Sequence, residues 1–308
     1  SIELYGVEPT TISEEIRFLV DEDRCDHIEL IFGCPVPKVT RKGGEAALPW
    51  KRSLFRDIVE SAVKAAGDIP VTIKMRKGID DNHLTFLEAG RAAEGAGVAS
   101  IALHARTASQ FYSGHADWDA IGELKSKISG VPVLGNGDIW SAEDALAMVK
   151  QSECDGVVVG RGCLGRPWLF GDLQAAFKGE GLRIRPGLGA VAQAFRRHAE
   201  LLVEFFDGDE DRACRDIRKH VAWYFKGYPV GGEVRARLAT VESLQQMDDF
   251  LGELDWSAPY PTEGVEGPRG RQGSPKKVAL PEHWLQSQEL SASERDNLRM
   301  AEVDSSGG

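Results

Sequence analysis

Short apolar runs rich in β-branched residues alternate with longer amphipathic segments over the first half of the chain. Six of the runs have the length and composition of buried strands, at residues 1–6, 27–32, 71–75, 100–104, 131–134 and 156–159. Between them, apolar residues recur at helical spacing in five segments, at residues 11–20, 53–66, 84–96, 118–128 and 141–150. In the last of these, Ser141 and Asp144 have the spacing of a capping box. Repeated strand–helix units of this length predict a parallel sheet with both faces covered.

The side chains with chemical potential follow the strands, which favours a barrel over an open doubly wound sheet. A (β/α)8 barrel has eight strands in about 250 residues, whereas the pattern supplies six strands before residue 165. The chain also starts directly in a strand, without a methionine. We therefore expect residues 1–180 to form a TIM-type α/β barrel that lacks two amino-terminal βα units. A six-stranded parallel fold of another type is the alternative.

The pattern changes to helices alone after Pro186. Apolar residues at helical spacing predict a small helical domain over residues 187–255. The following stretch, from 257 to 277, is dense in Gly, Pro, Glu and Arg. Such a composition is typical of a linker or of disorder, so we assign residues 256–308 to a linker and a C-terminal tail.

Composition and cysteine usage narrow the class of protein. The chain is 42% hydrophobic and 28% charged, as soluble globular proteins are. It contains no apolar run of roughly 18 residues, the length that a membrane helix needs, and no signal-peptide pattern at its start. Five scattered cysteines without a Cys-x-x-Cys pair argue against a disulfide framework and a zinc site. We expect a cytoplasmic protein that binds no metal.

Charge is distributed unevenly. The net charge of -11 alone argues against a polyanionic partner. The segment from residue 38 to residue 52 nevertheless carries five basic residues and one acidic residue, Glu45. The basic residues are Lys38, Arg41, Lys42, Lys51 and Arg52. Such a cluster is more often a solvated face, but it adjoins a cysteine of interest and is therefore a candidate for phosphate contacts.

That cysteine, Cys34, follows the second predicted strand. Gly33 permits a sharp bend and Pro35 cannot donate to a strand ladder, so the strand ends here with the thiol at its tip. The carboxyl ends of barrel strands are where such folds do their chemistry. A lone cysteine is more often an inert buried residue, but this context favours an active thiol.

The later strand ends carry a second set of candidates. Lys74 lies inside the third strand, where an inward amine is costly unless it meets an anion or a polar cofactor; a rim position is the alternative. His104 ends the fourth strand. Glycine turns follow the last two strands, at 136–138 and 160–162. Glycines there let backbone amides approach a phosphate, although Asn-Gly-Asp taken singly is only a turn signal.

Taken in order, these motifs resemble the tRNA-dihydrouridine synthase family, and most closely its bacterial B-type branch. They are Gly-Cys-Pro at 33–35, Lys-Met-Arg at 74–76, His-Ala-Arg-Thr at 104–107, Tyr-Ser-Gly at 112–114, Asn-Gly-Asp at 136–138 and Gly-Arg-Gly at 160–162. Residues 218–224 also resemble that family's carboxy-terminal RNA-binding domain. The resemblance extends from Ile2 to about Leu251.

The resemblance implies an FMN-dependent enzyme that reduces specific uridines in tRNA to 5,6-dihydrouridine, with NADPH as the reductant. We expect the protein to be a monomer whose partner is tRNA. The resemblance also implies that Cys34 is the general acid. That role is chemically sensible, since an unperturbed thiol with a pKa of about 8.5 is mostly protonated at neutral pH. The resemblance assigns flavin contacts to Glu3, Lys74, His104, Asn136, Gly137, Asp138, Gly160 and Arg161. The expected tRNA contacts are Lys38, Arg41, Lys42, Arg106, Arg218 and Lys219.

The chain departs from the family pattern at several positions. Glu3 stands in place of a flavin-contacting glutamine, and Ile31 in place of an asparagine. Glu45 replaces a residue that is usually glycine, and Phe111 one that is commonly basic. A truncated, catalytically impaired homologue that retains RNA binding is therefore the second hypothesis. The third is a flavin barrel that reduces free pyrimidines, and the predicted helical domain argues against it.

Overall fold

A computed structural model describes residues 1–270 and 272–303 of the chain. Its single sheet has six strands in this described portion, ordered in space as they are in sequence, and each pairs in parallel with the next. The strands are β1 (Ile2–Leu4), β2 (Ile28–Phe32), β3 (Val71–Arg76), β4 (Ser100–His104), β5 (Val133–Asn136) and β6 (Gly156–Val158). The predicted parallel α/β architecture is confirmed.

Helices connect the strands and continue beyond the sheet. Those within the sheet region are α1 (Pro9–Asp21), α2 (Pro37–Thr40), α3 (Arg52–Ala66), α4 (Phe86–Ala96), α5 (Trp118–Lys125) and α6 (Ala142–Ser152). Those that follow are α7 (Leu169–Phe177), α8 (Leu188–Phe205), α9 (Glu210–Ile217), α10 (Val221–Tyr224), α11 (Gly232–Leu238), α12 (Leu244–Gly252) and α13 (Ala292–Val303). None of the described helices is both long and apolar enough to cross a membrane.

The two faces of the sheet differ, because successive side chains of a strand point to opposite sides. In β2, Ile28, Leu30 and Phe32 are buried, whereas Glu29 and Ile31 are only partly covered. The same alternation continues through the first residues of β3. Helices α3, α4 and α5 pack against strands β3 to β5. The half-covered face therefore includes Glu29 and Lys74, and the other face carries apolar side chains.

The chain forms two compact units. The first comprises residues 1–138, 147–158 and 272–308 and contains the sheet. The second comprises residues 139–146 and 159–271, and its core is formed by side chains of α8 and the helices after it, such as Phe195, Phe225 and Leu238. Within it, Ser141 and Asp144 exchange the two predicted capping hydrogen bonds, at 3.1 and 2.9 Å. This unit begins earlier in the chain than the predicted helical domain, and the predicted domain limits stay predictions.

The predicted linker and tail make specific contacts. In the second unit, Arg269 is buried and donates to the carbonyls of Leu164, Trp223 and Val265. In the first unit, Trp284 is buried and begins a 3-10 turn. Composition alone misses these contacts, because each depends on a single side chain: Arg269 within the Gly- and Pro-rich stretch, and Trp284 in the segment after it. Residues 304–308 of the predicted tail, together with position 271, lie outside the described residues.

Candidate active site

Cys34 lies just past the end of β2, and the turn that follows in sequence holds its main chain on both sides. The Cys34 amide donates to Oε2 of Glu45 at 2.6 Å. The Cys34 carbonyl accepts from the amide of Ala46 at 3.4 Å. Both partners belong to a 3-10 turn, Glu45–Trp50, so this turn fixes the backbone from which the half-buried thiol projects.

Glu45 occupies an unusual backbone conformation. Its φ is +44°, in the left-handed region where glycine is favoured and a residue with a Cβ is strained. The side chain is nevertheless buried, with 6% of the residue exposed. Burial raises the pKa of the Glu45 carboxyl, and the hydrogen bond from the Cys34 amide and the charge of Lys74 partly offset that rise. The conformation gives a physical reason for the glycine that usually stands at this position in the family that the chain resembles.

The surroundings of Cys34 favour the protonated thiol. Burial is the main cause that raises the pKa of the thiol, and the negative charge of Glu45 raises it further. The amide of Val36 and the positive charges of Arg76 and Lys74 act in the opposite direction. Because the pKa ends above its ordinary value, the thiol is protonated at neutral pH and can act as a proton donor.

Lys74 brings a cation to the same end of the sheet. A Cβ added to Gly33 would lie 4.0 Å from the Lys74 Nζ, so the amine reaches the segment that carries the thiol. Its cross-strand neighbours in the sheet are the apolar residues Ile31 and Ala102. Within the described portion of the chain, the amine forms no hydrogen bond and no ion pair within 4.0 Å.

Charges around Lys74 are mixed in sign. Burial lowers the pKa of its amine and Arg76 lowers it further, while the carboxylates of Glu29, Glu3 and Glu45 raise it. Glu3 lies directly opposite Glu29 in the register of β1 and β2, and the two carboxyl groups influence each other electrostatically. Burial is the main cause that raises the pKa of Glu29. The departure from glutamine at position 3 thus creates a pair of carboxyl groups beside the lysine.

Arg76, which sequence analysis named only as part of a motif, connects three segments. Its Nε donates to the carbonyl of Gly33 at 2.7 Å, next to Cys34. Its Nη1 donates to the carbonyls of Thr107 and Phe111, each at 2.9 Å. The guanidinium also lies 5.7 Å from the ring centroid of Tyr112. An arginine at the end of a strand, in a run of motif residues, was the available signal for this positioning role.

Arg106 follows the end of β4 and is buried. Arg106 was expected to contact RNA, but 1% of the residue is exposed. Its Nη2 lies 2.8 Å from both carboxylate oxygens of Asp138 and 2.7 Å from the carbonyl of Gly114, and its Nε donates to the carbonyl of Ser113. Asp138 also accepts from the amide of Ala116 at 2.7 Å. This placement gives Arg106 a structural role and does not favour a direct RNA contact.

His104 and Gly137 lie together at the ends of β4 and β5. A Cβ added to Gly137, whose φ is +126°, would lie 2.6 Å from the Cβ of Ala116 and 3.3 Å from Cδ2 of His104. Only a glycine therefore allows this close approach. Asn136 instead donates from Nδ2 to the carbonyl of Val158 at 2.6 Å, which connects β5 to β6.

The remaining predicted flavin contacts belong to the second unit. Gly160 has open space on its side-chain side, and the Arg161 guanidinium lies 5.0 Å from the ring centroid of Trp140, in the same unit. Their assignment to a flavin phosphate stays a prediction.

The predicted tRNA contacts fall in both units. Lys38, Arg41 and Lys42 are exposed on and just after α2, in the first unit. In the second unit, Arg218 donates to the carbonyl of Val241 at 2.9 Å, and the exposed Lys219 pairs with Asp216 at 3.0 Å. Their roles stay predictions. In the part of the chain that the structure describes, no group of three or more His, Cys, Asp or Glu side chains could hold a metal ion.

The chain is similar in sequence to known proteins over most of its length. The family model described as dihydrouridine synthase (Dus) matches residues 1–256. A protein of Mycobacterium leprae named "Probable tRNA-dihydrouridine synthase" is 56% identical over 287 residues, which are 92% of this chain and 74% of that protein. The chain belongs to the dihydrouridine synthase family.

Other members of the family are also similar to this chain in sequence. A protein of Mycobacterium tuberculosis strain H37Rv with the same name is 55% identical, over 92% of this chain and 73% of that protein. The tRNA-dihydrouridine synthase B of Xanthomonas campestris is 33% identical over 85% of this chain and 78% of that protein. The resemblance inferred from the ordered strand-end motifs is therefore confirmed.

Proposed function

We propose that the chain reduces uridine in tRNA to 5,6-dihydrouridine, with FMN as its flavin and NADPH as the reductant. The observation that carries this proposal is the Cys34 thiol, held at the end of β2 by the Glu45 turn and kept protonated by its surroundings. Family membership supplies the type of reaction. The residues supply a proton donor that the reduction of a carbon–carbon double bond requires.

The residues at the strand ends fit a flavin. The Lys74 amine lacks a hydrogen-bond partner in the described chain, and such a half-buried donor suits a flavin carbonyl. His104 and Gly137 offer a ring and a backbone approach on the neighbouring strands. Glu3 contributes a carboxyl instead of an amide, opposite Glu29 in the strand register. Asn136 and Asp138 complete the proposed set in the first unit, and the flavin contacts of Gly160 and Arg161 stay predictions from the resemblance.

Proton delivery falls to Cys34. When bound, FMN supplies the hydride for C6 of the uracil, and NADPH restores its reducing equivalents. The Cys34 Sγ gives its proton to C5, and the thiolate that remains is stabilised by the charges of Lys74 and Arg76 and by the Val36 amide. The half-buried thiol then recovers a proton from solvent. Hydride and proton together saturate the C5–C6 bond.

Recognition of tRNA is proposed for the exposed cations. Lys38, Arg41 and Lys42 follow Cys34 closely in sequence and suit the phosphates around a base that leaves its stack to be reduced. Arg218 and Lys219 are proposed to contact tRNA from the helical domain. In this view residues 1–180 carry the chemistry, residues 187–255 bind RNA, and the protein acts as a cytoplasmic monomer.

The experiment is a product assay. Unmodified tRNA is incubated with the purified chain, FMN and NADPH, and its nucleosides are measured by mass spectrometry. We expect a mass increase of two hydrogens at uridine that depends on both NADPH and the chain. Absence of dihydrouridine despite bound FMN and bound tRNA would contradict the proposal. That result would support the impaired homologue, which the apolar Ile31 opposite Lys74 and the carboxyl groups of Glu3 and Glu29 favour.

A further inference from the structure

Residues 278–289, here called the C-terminal strap, lie beyond the part of the chain that the family model matches. They belong to the same compact unit as the sheet. Their contacts are with the segment that follows Cys34 in sequence, and two buried side chains, Trp284 and Lys51, form most of these contacts.

Trp284 packs into this segment closely. The residue is 3% exposed, and its Nε1 donates to the carbonyl of Ala47 at 3.1 Å. A Cβ added to Gly43, whose φ is +78°, would lie 2.5 Å from Cη2 of the Trp284 ring. The ring therefore rests directly on the Gly43 backbone, and a side chain at position 43 would displace it.

Lys51 places its charge against the strap, and its Nζ also lies 4.0 Å from the carboxylate of Glu294, beyond the strap. None of the residue is exposed, and its Nζ donates to the carbonyls of Ser287 at 2.9 Å and Glu289 at 3.4 Å. The amine also lies 4.7 Å from the ring centroid of Trp284. A buried ammonium without acceptors is strongly unfavourable. Loss of the strap would therefore force Lys51, and the turn that ends beside it, to rearrange.

Hydrogen bonds connect the strap, through the Glu45–Trp50 turn, to the main chain of Cys34. Trp284 binds the carbonyl of Ala47, whose neighbours in the same 3-10 turn are Ala46 and Glu45. Those two residues bind the carbonyl and the amide of Cys34. Three consecutive residues of one turn thus contact the strap on one side and the backbone of the cysteine on the other.

We propose that the C-terminal strap is a positioning element for Cys34: Trp284 and Lys51 hold the Glu45–Trp50 turn, and that turn orients the thiol. The catalytic consequence of this inference rests on the proposed function. The effect of the strap on the backbone around Cys34 does not depend on the proposed function. The structural and the catalytic consequences can therefore be tested separately.

The test compares the full chain with three variants. Trp284→Ala removes the ring and its hydrogen bond, Trp284→Phe removes chiefly the hydrogen bond, and Lys51→Met removes the buried charge at similar length. Trp256→Ala is the control, because Trp256 is 46% exposed and lies in the other unit. The readouts are amide hydrogen exchange of residues 34–47, alkylation of Cys34 by iodoacetamide, and dihydrouridine formed per folded molecule.

We expect Trp284→Ala and Lys51→Met to speed exchange at the Cys34 and Ala46 amides by about tenfold or more, since local opening becomes easier. The rate of Cys34 alkylation changes together with the exchange rate. Trp284→Phe shows smaller changes of the same kind. Trp256→Ala matches the parent chain. If Trp284→Ala does not fold, Trp284→Phe and Lys51→Met decide by the same criterion.

Exchange and alkylation within twofold of the parent in both Trp284→Phe and Lys51→Met would overturn the proposal. A parent chain that forms no dihydrouridine, with the exchange effects intact, would overturn the proposed function and leave the strap assignment standing. Intact product formation with unchanged exchange would do the reverse.

Discussion

Two parts of the sheet differ in how they hold their ionisable side chains: the carboxyl ends of β2 and β3, and the carboxyl ends of β4 and β5. At the end of β2 and β3, Cys34, Glu45 and Lys74 all have displaced pKa values, upward for the acids and downward for the amine. At the end of β4 and β5, Arg106 and Asp138 form a two-oxygen ion pair with both distances at 2.8 Å. The first group is held near one another without close charge pairing, and the second is paired and buried.

This difference distinguishes residues suited to chemistry, at the ends of β2 and β3, from residues that stabilise loops, at the ends of β4 and β5. Groups whose pKa values are displaced by burial and by neighbouring charges can exchange protons and bind a polar ligand, which is why displaced pKa values concentrate at functional sites. A buried ion pair whose members also bind backbone groups fixes loop geometry instead. Sequence motifs alone do not distinguish the two ends, since both present charged side chains after a strand.

The largest expected effect is on stability, at the paired end. Arg106→Leu leaves the largely buried carboxylate of Asp138 without its guanidinium partner, which costs about 3–5 kcal/mol of unfolding free energy. Urea denaturation followed by circular dichroism measures this. The control is Arg91→Leu, which removes an exposed pair with Glu88 and should cost under about 1 kcal/mol. Equal losses in the two variants would remove the distinction between the ends.

The next effect is on flavin binding, at the unpaired end. Lys74→Met should weaken FMN binding by about tenfold, because a hydrogen bond from a charged donor contributes roughly 1.5 kcal/mol or more. Stability without flavin should hold or rise, since a half-buried cation is removed. Titration by flavin fluorescence is the measurement, with the exposed Lys64→Met as control. Unaltered affinity in Lys74→Met would show that the amine serves another purpose.

The smallest effect concerns the thiol itself. Glu45→Gln keeps an acceptor for the Cys34 amide and removes the charge that raises the thiol pKa. The parent pKa lies above its ordinary value, so the pH midpoint of Cys34 alkylation should move down in the variant. Rates of iodoacetamide labelling across a pH series give the midpoint, and the exposed Glu60→Gln should leave it in place. A midpoint that rises or does not move contradicts the proposed influence of Glu45.

Much of the fold could be predicted from the apolar pattern. The predicted run 71–75 corresponds to β3 (Val71–Arg76), and the predicted segment 84–96 to α4 (Phe86–Ala96). The fifth strand was placed early, at 131–134, but β5 is Val133–Asn136. Gly135 and Asn136 have weak strand propensity, and the strand includes them because β4 and β6 pair on both sides.

The site was predictable in part. Cys34 and Lys74 could be located, because each follows from a strand pattern. The positive φ of Glu45 and the burial of Arg106 could not, since both depend on loops that fold back over many residues. The departure from glycine at position 45 was visible, but its hydrogen bond to Cys34 needed coordinates. The strap was also not predicted, because Trp284 follows the Gly- and Pro-rich stretch and residues 256–308 were assigned together to a linker and tail.

The most direct test of the account is dihydrouridine formation by Cys34→Ala. Product in tRNA is measured by mass spectrometry and normalised to bound FMN, next to Cys25→Ala, which removes a buried cysteine of the same unit. The account predicts that Cys34→Ala still binds tRNA and still has its flavin reduced by NADPH, while dihydrouridine falls by about 10²-fold or more, the usual contribution of a positioned general acid. Turnover per folded molecule equal to that of Cys25→Ala would contradict the role of Cys34.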